Sequence, residues 1–226
     1  MAPGEVTALV PLCSSRPLPL MAERPDARAL NWRFVVPSEP GGVLLLPVDG
    51  ERLAGTIVPD RTVESLHAAL GSGPYPAVVA PDLGAWSQLA ESPAALMRKL
   101  GAAVDRGGWL YAGFSNPLFP GRPLRRGSLR PGVVRRCLAP AGAWMIERFV
   151  TMPDQRCPAY ILPAARRQEL DYLLRTLFVP YTDKDGWRAQ AIRRGLAAMR
   201  SVTLASPAPI RSLFAPAIAV VARRSS

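Results

Sequence analysis

The clearest pattern of apolar and polar positions lies between residues 75 and 117. A compact apolar run, YPAVVAPDL (75–83), predicts a buried strand, and a second run, WLYAGFSNP (109–117), predicts another. Residues 92–108 between them have apolar positions at helical spacing, with Ser92 placed as an N-cap and a glycine pair at the end. A strand, a helix and a strand joined by short loops predict two parallel strands linked by a right-handed crossover.

Similar runs predict elements on both sides of this unit. Further strands are predicted at WRFVVP (32–37), GVLLLP (42–47), TIVP (56–59), AWMIERFVTMP (143–153) and AIAVVARR (217–224). Helices are predicted at residues 61–71, 131–142, 165–178 and 186–200. Residues 1–30 are rich in Pro and Arg without a sustained period, and we expect an irregular lead-in there. We therefore expect an α/β fold as one domain over residues 31–226, with residues 165–200 as a helical insertion before the last strand.

The composition fits a folded domain in a reducing compartment. Of the 226 residues, 49% are hydrophobic and 20% are charged, which suffices for a single core without a disulfide or a metal. The three cysteines form no CxxC pair and are odd in number, so we expect reduced thiols and a cytoplasmic location. The first residues lack a basic signal-peptide start and no window reaches ~18 apolar residues, so no membrane segment is expected.

Positive charge is concentrated in the second half of the chain. Residues 1–120 carry 9 Lys/Arg and 11 Asp/Glu, whereas residues 121–226 carry 19 and 6. Either this surface is merely solvated, or it attracts an anionic partner. A nucleic acid is one such partner, although no recognition motif accompanies the arginines; a phosphate-bearing small molecule or an acidic peptide fits equally.

Common catalytic motifs do not occur in the sequence. His67 is the only histidine, which excludes metal sites built from several histidines, and no HExxH or paired-cysteine motif occurs. There is no GxSxG nucleophile turn and no GxxxxGK phosphate loop. The sequence therefore identifies no catalytic residue and no metal site.

The order of motifs in residues 75–153 resembles the second half of a class I S-adenosylmethionine-dependent methyltransferase. The stretches that carry the resemblance are AVVAPDL (77–83), LGAAVDRGGWLYAGF (100–114) and CLAPAGAWMIERF (137–149). The resemblance implies a Rossmann-like, mostly parallel sheet with an antiparallel closing strand at residues 217–224 and added C-terminal helices. It also implies S-adenosylmethionine as cofactor and a small molecule or a peptide as methyl acceptor.

The segment that corresponds to the Gly-rich cofactor loop of that family departs from the pattern. It is GVLLLPVDGERLAG (42–55), in which Pro47 and Val48 precede Asp49 and Gly50. Small residues at such a turn let the backbone approach a ligand, and this segment has few of them.

The cofactor-binding residues that the resemblance implies are Asp49, Gly50, Asp60 and Asp82. Asp60 equally fits an N-cap of the following helix, and an aspartate directly after a strand, such as Asp82, is often an ordinary cap. Two functions follow from these residues. One is methyl transfer from S-adenosylmethionine; the other is a non-catalytic accessory or binding role, which predicts a filled pocket above the first strand of the sheet.

Overall fold

The computed structural model describes residues 27–37, 42–48, 54–90, 92–117, 129, 131–166 and 215–226, together with isolated positions between 168 and 205. The strands are β1 (Val43–Leu45), β2 (Thr56–Ile57), β3 (Tyr75–Ala80), β4 (Val104–Ser115), β5 (Trp144–Met152), β6 (Tyr160–Pro163) and β7 (Ala217–Arg224). The α-helices are α1 (Val63–Gly71), α2 (Leu83–Trp86), α3 (Pro93–Ala102) and α4 (Pro131–Leu138). Short 3-10 helices lie at Ala27–Phe34, Ser87–Leu89 and Ala139–Ala141.

The strands form one seven-stranded sheet in the order β2-β1-β3-β4-β7-β5-β6. The pairs β2–β1, β1–β3 and β3–β4 are parallel, whereas β7 is antiparallel to both β4 and β5. Five strands, β1 to β5, therefore run in one direction, and β6 and β7 oppose them. This topology confirms the expected Rossmann-like α/β sheet, including the antiparallel closing strand and the parallel crossover predicted for residues 75–117.

The helices α1 to α4 pack on one face of the sheet, because the strands present alternate apolar residues to it. Leu44, Val78 and Leu110 from three neighbouring strands are fully buried there. Residues of opposite parity, such as Val79 and Tyr111, face the second core cluster on the other side. The sheet therefore has a buried core on each face, as parallel sheets require.

The segment predicted as a strand at residues 32–37 is instead part of a 3-10 helix and the turn after it, so that prediction was wrong. Trp32 and Val36 are both buried and belong to the second core cluster. Because they are four residues apart, both side chains lie on one side of a helical turn. In a strand, where every second side chain faces the same way, Phe34 between them would also be buried, yet it is exposed. The segment thus covers the sheet face that α1 to α4 leave open.

The helix predicted for residues 92–108 ends at Ala102, and its last five residues belong to β4. The register between β3 and β4 shifts between the Tyr75–Val104 pair and the Ala77–Trp109 pair, which marks a bulge. Gly107 lies in this bulge with φ of 76°, a conformation that glycine adopts without strain. The glycine pair that predicted a helix stop therefore forms a bulge inside a strand.

Two further expectations concern regions that the structure describes only in part. Residues 1–26 and most of the predicted helices at 165–178 and 186–200 lie outside the described residues. Positions 168–169, 194–195 and 197–198, which are described, are helical. Within the described parts of the chain, no helix combines the length and the apolar character needed to cross a membrane.

Candidate functional site at the carboxyl edge of the parallel strands

The strand order changes direction between β1 and β3. The chain passes from β1 outward to β2 and then returns to β3 on the other side of β1. In open α/β sheets, ligands bind in the crevice outside the carboxyl ends of the strands at such a switch point. The segments that follow β1, β3 and β4 line this edge, so they define the candidate site.

The connection from β1 to β2 is short for a crossover between parallel strands. It comprises ten residues, 46–55, whereas such connections usually take about a dozen or more, with a helix. Residues 46–48, directly after β1, are buried, whereas Ala54 and Gly55, directly before β2, are exposed. The backbone at the carboxyl end of β1 is therefore covered by other residues of the chain.

Trp86 of α2 supplies part of this cover. Its indole Nε1–H donates to the carbonyl of Pro47 at 2.8 Å, and its side chain is fully buried. Arg61 lies over the same indole, 5.7 Å from the ring centre, and donates from Nη1 to the carbonyl of Val48 at 3.4 Å. Trp86, which follows β3, therefore reaches across the switch point to the segment after β1. The carbonyls of Pro47 and Val48 both accept hydrogen bonds.

Asp82 follows β3 and is only 2% exposed. Its Oδ1 accepts from the backbone N–H groups of Gly84 and Ala85 at 3.1 and 3.3 Å, which caps α2. The same oxygen accepts from Gln155 Nε2 at 3.2 Å, and Oδ2 accepts from Arg156 Nε at 2.7 Å. Three donors therefore converge on Oδ1, whereas Oδ2, which offers two acceptor positions, accepts one hydrogen bond.

Gln155 and Arg156 belong to the segment after β5, residues 153–159, which reaches across the sheet edge. Two strands, β4 and β7, lie between β5 and β3, so this segment spans roughly 14 Å at the usual strand spacing. The contact is close: a Cβ built on Gly113 of β4 would lie 2.2 Å from the carbonyl oxygen of Pro81 and 3.2 Å from the Cβ of Gln155. Residues 153–159 therefore pack directly against the edge.

Two buried polar atoms at this end of the sheet have no hydrogen-bond partner within the described structure. They are Oε1 of Gln155 and Oγ1 of Thr151, the latter near the end of β5. Asn116, which follows β4, donates from Nδ2 to the carbonyl of Ala215 at 2.7 Å and so ties β4 to the start of β7. Its role in this contact is structural.

The predicted site residues have different outcomes. Asp49 and Gly50 lie outside the described residues. Asp60 is exposed and does not cap α1, because Thr62 does so by accepting from Ser65 N–H; that alternative for Asp60 was wrong. Asp82 is a helix cap and also an ion-pair partner.

Sequence reasoning missed Trp86, Gln155 and Arg156. The last two lie in a proline-rich stretch that carries no periodic pattern, and Arg156 is separated from Asp82 by 74 positions. The sequence contains no local signal for a pair that far apart. The apolar position of Trp86 beyond β3 marks it as a core residue, but its bond to Pro47 depends on strand order.

These contacts allow a test of whether the described residues fit S-adenosylmethionine. A cofactor held at this edge needs free backbone groups after β1 and a free acidic side chain near its ribose. Pro47 has no N–H to donate, the carbonyls of Pro47 and Val48 are engaged, and the Asp82 carboxylate accepts four hydrogen bonds, one of them on Oδ2. Pro47, Val48 and Asp82 therefore do not fit the cofactor, whereas Asp60, the other acidic residue that the resemblance implies, is exposed.

The remaining titratable groups form no second centre in the described residues. The exposed His67 of α1 lies 3.2 Å through Nε2 from Lys99 Nζ of α3. Burial raises the pKa of the Cys137 thiol, and the nearby Arg98 and Arg136 guanidinium groups partly oppose this. No group of three or more His, Cys, Asp or Glu side chains is placed to hold a metal ion in this part of the chain.

No protein-family model matches the chain, and no curated protein is significantly similar to it. Solved structures give distant likenesses. One is a SAM-dependent methyltransferase from Archaeoglobus fulgidus, with 13% identity, a TM-score of 0.38, and coverage of 80% of this chain and 75% of that one. Another is the 4+2 cyclase SpnF, with 11% identity, a TM-score of 0.43, and coverage of 88% and 81%. Likenesses this distant carry no inference about what this chain binds or does, which depends on its own residues.

Proposed function

We propose that this chain is a non-catalytic protein built on a methyltransferase-like sheet, which acts as an accessory or binding protein. One observation carries the proposal: the indole of Trp86 crosses the switch point and donates to the carbonyl of Pro47. This bond occupies the backbone that a cofactor would need to approach. The burial of Asp82 and its bonds to the backbone of α2, Gln155 and Arg156 support the same conclusion on the β3 side of the crevice.

The second candidate function is methyl transfer from S-adenosylmethionine to a small molecule or a peptide. The motif order in residues 75–153 and the parallel strands that end at a switch point favour it. Such a reaction relies mainly on holding the acceptor in line with the methyl group. A catalytic side chain is therefore not required, and none is assigned here.

Calorimetric titration separates the two functions. We expect no heat of binding when S-adenosylmethionine or its demethylated product is added to the full chain at millimolar concentration. Thermal melting checks the same point, because a ligand that binds only the folded state raises the melting temperature. Saturable binding of either compound would overturn the non-catalytic role and leave methyl transfer as the better candidate.

We further propose that residues 31–226 form a single domain and that the protein works in the cytoplasm. The cysteines support the location, since Cys137 and Cys157 form no disulfide in the described structure. The partner is proposed to be a small molecule or a peptide, an anionic one included, because positive charge dominates the second half of the chain.

A further inference from the structure

The outer edge of β5 is only partly covered by β6. The strand β6 pairs with residues 149–152, and the last bond along this line runs from Ala164 N–H to the carbonyl of Arg148 at 2.8 Å. The first residues of β5, 144–147, continue beyond the end of β6. They pair on their other side with β7.

Along residues 144–147, the main-chain groups of alternate residues point toward β7 and away from it. The carbonyl of Ala143 accepts from Ser225 on the β7 side, whereas the carbonyl of Arg148 accepts from Ala164 on the β6 side. In an antiparallel ladder, residues of one parity direct both main-chain groups to one neighbour. Trp144 and Ile146 therefore direct their N–H and C=O groups away from β7, beyond the last residue of β5 that bonds to the β6 side.

Side chains and a cavity accompany these outward backbone groups, which β6 does not reach. Met145 is 66% exposed, which is high for an apolar side chain inside a strand, and Ile146 is partly exposed. A cavity of about 400 Å³ lies where the line of β6 leaves β5, lined by residues 146–148 and 163–166. Natural sheets usually protect such an edge with charged side chains, Pro or a covering element; residues 144–148 contain no Pro, and their charged side chains, Glu147 and Arg148, line the cavity.

The charge around the cavity favours an acidic group. Arg148 is exposed and has no ion-pair partner in the described structure, whereas Arg166 pairs with Glu169 at 3.3 Å. Glu147 also lines the cavity, so Arg148 is the lining cation without a described ion-pair partner. An acidic side chain next to Arg148 would therefore be attracted.

From these observations we propose that residues 144–147 of β5 bind an extended polypeptide segment of a partner as an added strand. The segment continues the line of β6, alternates apolar residues, and places an acidic side chain in the cavity beside Arg148. Main-chain bonds to Trp144 and Ile146 supply affinity, and the cavity supplies selectivity. This partner class deepens the proposed binding role and rests on it.

Replacing Ile146 by proline removes its outward N–H group and so tests whether a partner strand binds there through main-chain hydrogen bonds. Ile146→Pro removes a donor that has no partner in β7, so the sheet tolerates it as an edge position. Ile146→Val keeps the N–H and serves as the matched control. Arg148→Glu tests the charge, with Arg135→Glu on α4 as its control.

The probe is a peptide selected from a random-peptide display library on the full chain, then synthesised with a fluorescent label. We expect selected sequences to alternate apolar residues and to carry an acidic residue. In anisotropy titrations, Ile146→Pro should weaken binding about tenfold, as expected for one lost main-chain bond. Arg148→Glu should also weaken binding, and the two control variants should bind as the wild type does.

Hydrogen exchange gives a readout that does not depend on the proline variant folding. The amides of Trp144 and Ile146 should exchange more slowly when the peptide is bound to the wild-type chain. Failure to select any peptide, equal affinity for a folded Ile146→Pro variant, or unchanged exchange at both amides would overturn the proposal. So would a dimer that Ile146→Pro dissociates, because a second copy of the chain would then occupy the edge.

The two proposals fail in different experiments. Binding of S-adenosylmethionine together with peptide binding at β5 would overturn the non-catalytic role alone. If no peptide binds at β5 and S-adenosylmethionine gives no heat of binding, the added strand alone is overturned.

Discussion

Asp60 and Asp82 occupy the same kind of position, close after a strand and close before a helix, yet they have different roles. Thr62, rather than Asp60, caps α1, and Asp60 remains exposed. Asp82 caps α2 and is buried against Arg156. The difference arises at Asp82, where residues distant in sequence complete its hydrogen bonding.

Replacement of Asp82 should destabilise the fold. Asp82→Ala removes a helix cap and leaves the amide of Gln155 without its acceptor, so we expect a loss of about 2 kcal/mol in the free energy of unfolding. Arg156→Ala should cost about 1 kcal/mol, because the Arg156 side chain is 49% exposed and water screens the pair. Urea denaturation of both variants and of the double variant measures these losses.

The double variant should lose less than the sum of the single losses, because both remove the same ion pair. If Asp82→Ala were as stable as the wild type, a structural role for Asp82 would be contradicted, and ligand binding would become the better explanation of this residue.

Gly113 provides a second test of how tightly the sheet edge is packed. A Cβ at this position would lie 2.2 Å from the carbonyl of Pro81, which neither backbone can relieve without moving. Gly113→Ala should therefore cost about 1–3 kcal/mol, the usual range for overpacking. Gly132→Ala in α4 is the control, since nothing lies within 4 Å of its added Cβ.

We expect the control substitution to be neutral or stabilising by up to about 1 kcal/mol, because alanine favours a helix over glycine. Thermal or urea unfolding compares the two variants. If Gly113→Ala were as stable as the wild type, the close packing of Gly113 against the carbonyl of Pro81 would be contradicted.

At the scale of elements, the one-turn helix α2 depends on what surrounds it. With four residues it is too short to be stable alone. Capping by Asp82 and the burial of Leu83 and Trp86 hold it in place. Its position in turn places the Trp86 indole at the switch point, so a local helix and a distant loop stabilise each other.

Two buried tryptophans allow this contact to be measured. Trp86 Nε1 donates to Pro47, whereas Trp32 Nε1 is buried without a partner in the described structure. Both are about equally buried, so a change to Phe removes a similar apolar area from each. Trp86→Phe should therefore destabilise the chain by about 1–2 kcal/mol more than Trp32→Phe, because it alone leaves a buried carbonyl unpaired.

Chemical denaturation of the two variants checks the difference. Equal losses would mean that the Trp86–Pro47 bond contributes nothing net, and would weaken the observation that carries the proposed function.

Over the whole molecule, the positive charge is unevenly distributed on the surface. The helices α3 and α4 contain four cationic side chains and no acidic one; these are Arg98, Lys99, Arg135 and Arg136. The electrostatic influence of both Arg98 and Arg136 on Cys137 indicates that the two helices share this positive region. A polyanion should therefore bind this region more strongly than the rest of the described surface.

Heparin chromatography tests this distribution. Arg136→Glu should lower the salt concentration needed for elution more than Arg106→Glu, a matched charge change at an exposed arginine of β4 next to Asp105. Equal shifts would show that only the net charge matters. A nucleic-acid role would further require salt-dependent binding to RNA. For each phosphate contact, the logarithm of the binding constant should fall by about 0.9 when the salt concentration rises tenfold.

The local pattern of the sequence by itself determined most of the elements. The strand at residues 217–224 and the strands near 75–80 and 144–152 follow from apolar runs bounded by breakers, because such runs are stable only when buried. The crossover from β3 to β4 and the antiparallel last strand were also predictable, since short connections and handedness leave few topologies. The 3-10 helix at Ala27–Phe34 and the glycine bulge in β4 were not, because packing against the sheet overrode the local preference.

Only the tertiary structure decided the character of the candidate site. The sequence placed Asp82 and Pro47 at the right edge, but Trp86 and Arg156 reach them across 39 and 74 positions. Such contacts depend on strand order and on the path of residues 153–159, which no local period encodes. A side chain's hydrogen bonds are set by its neighbours in space, and here they make Asp82 a helix cap and the ion-pair partner of Arg156.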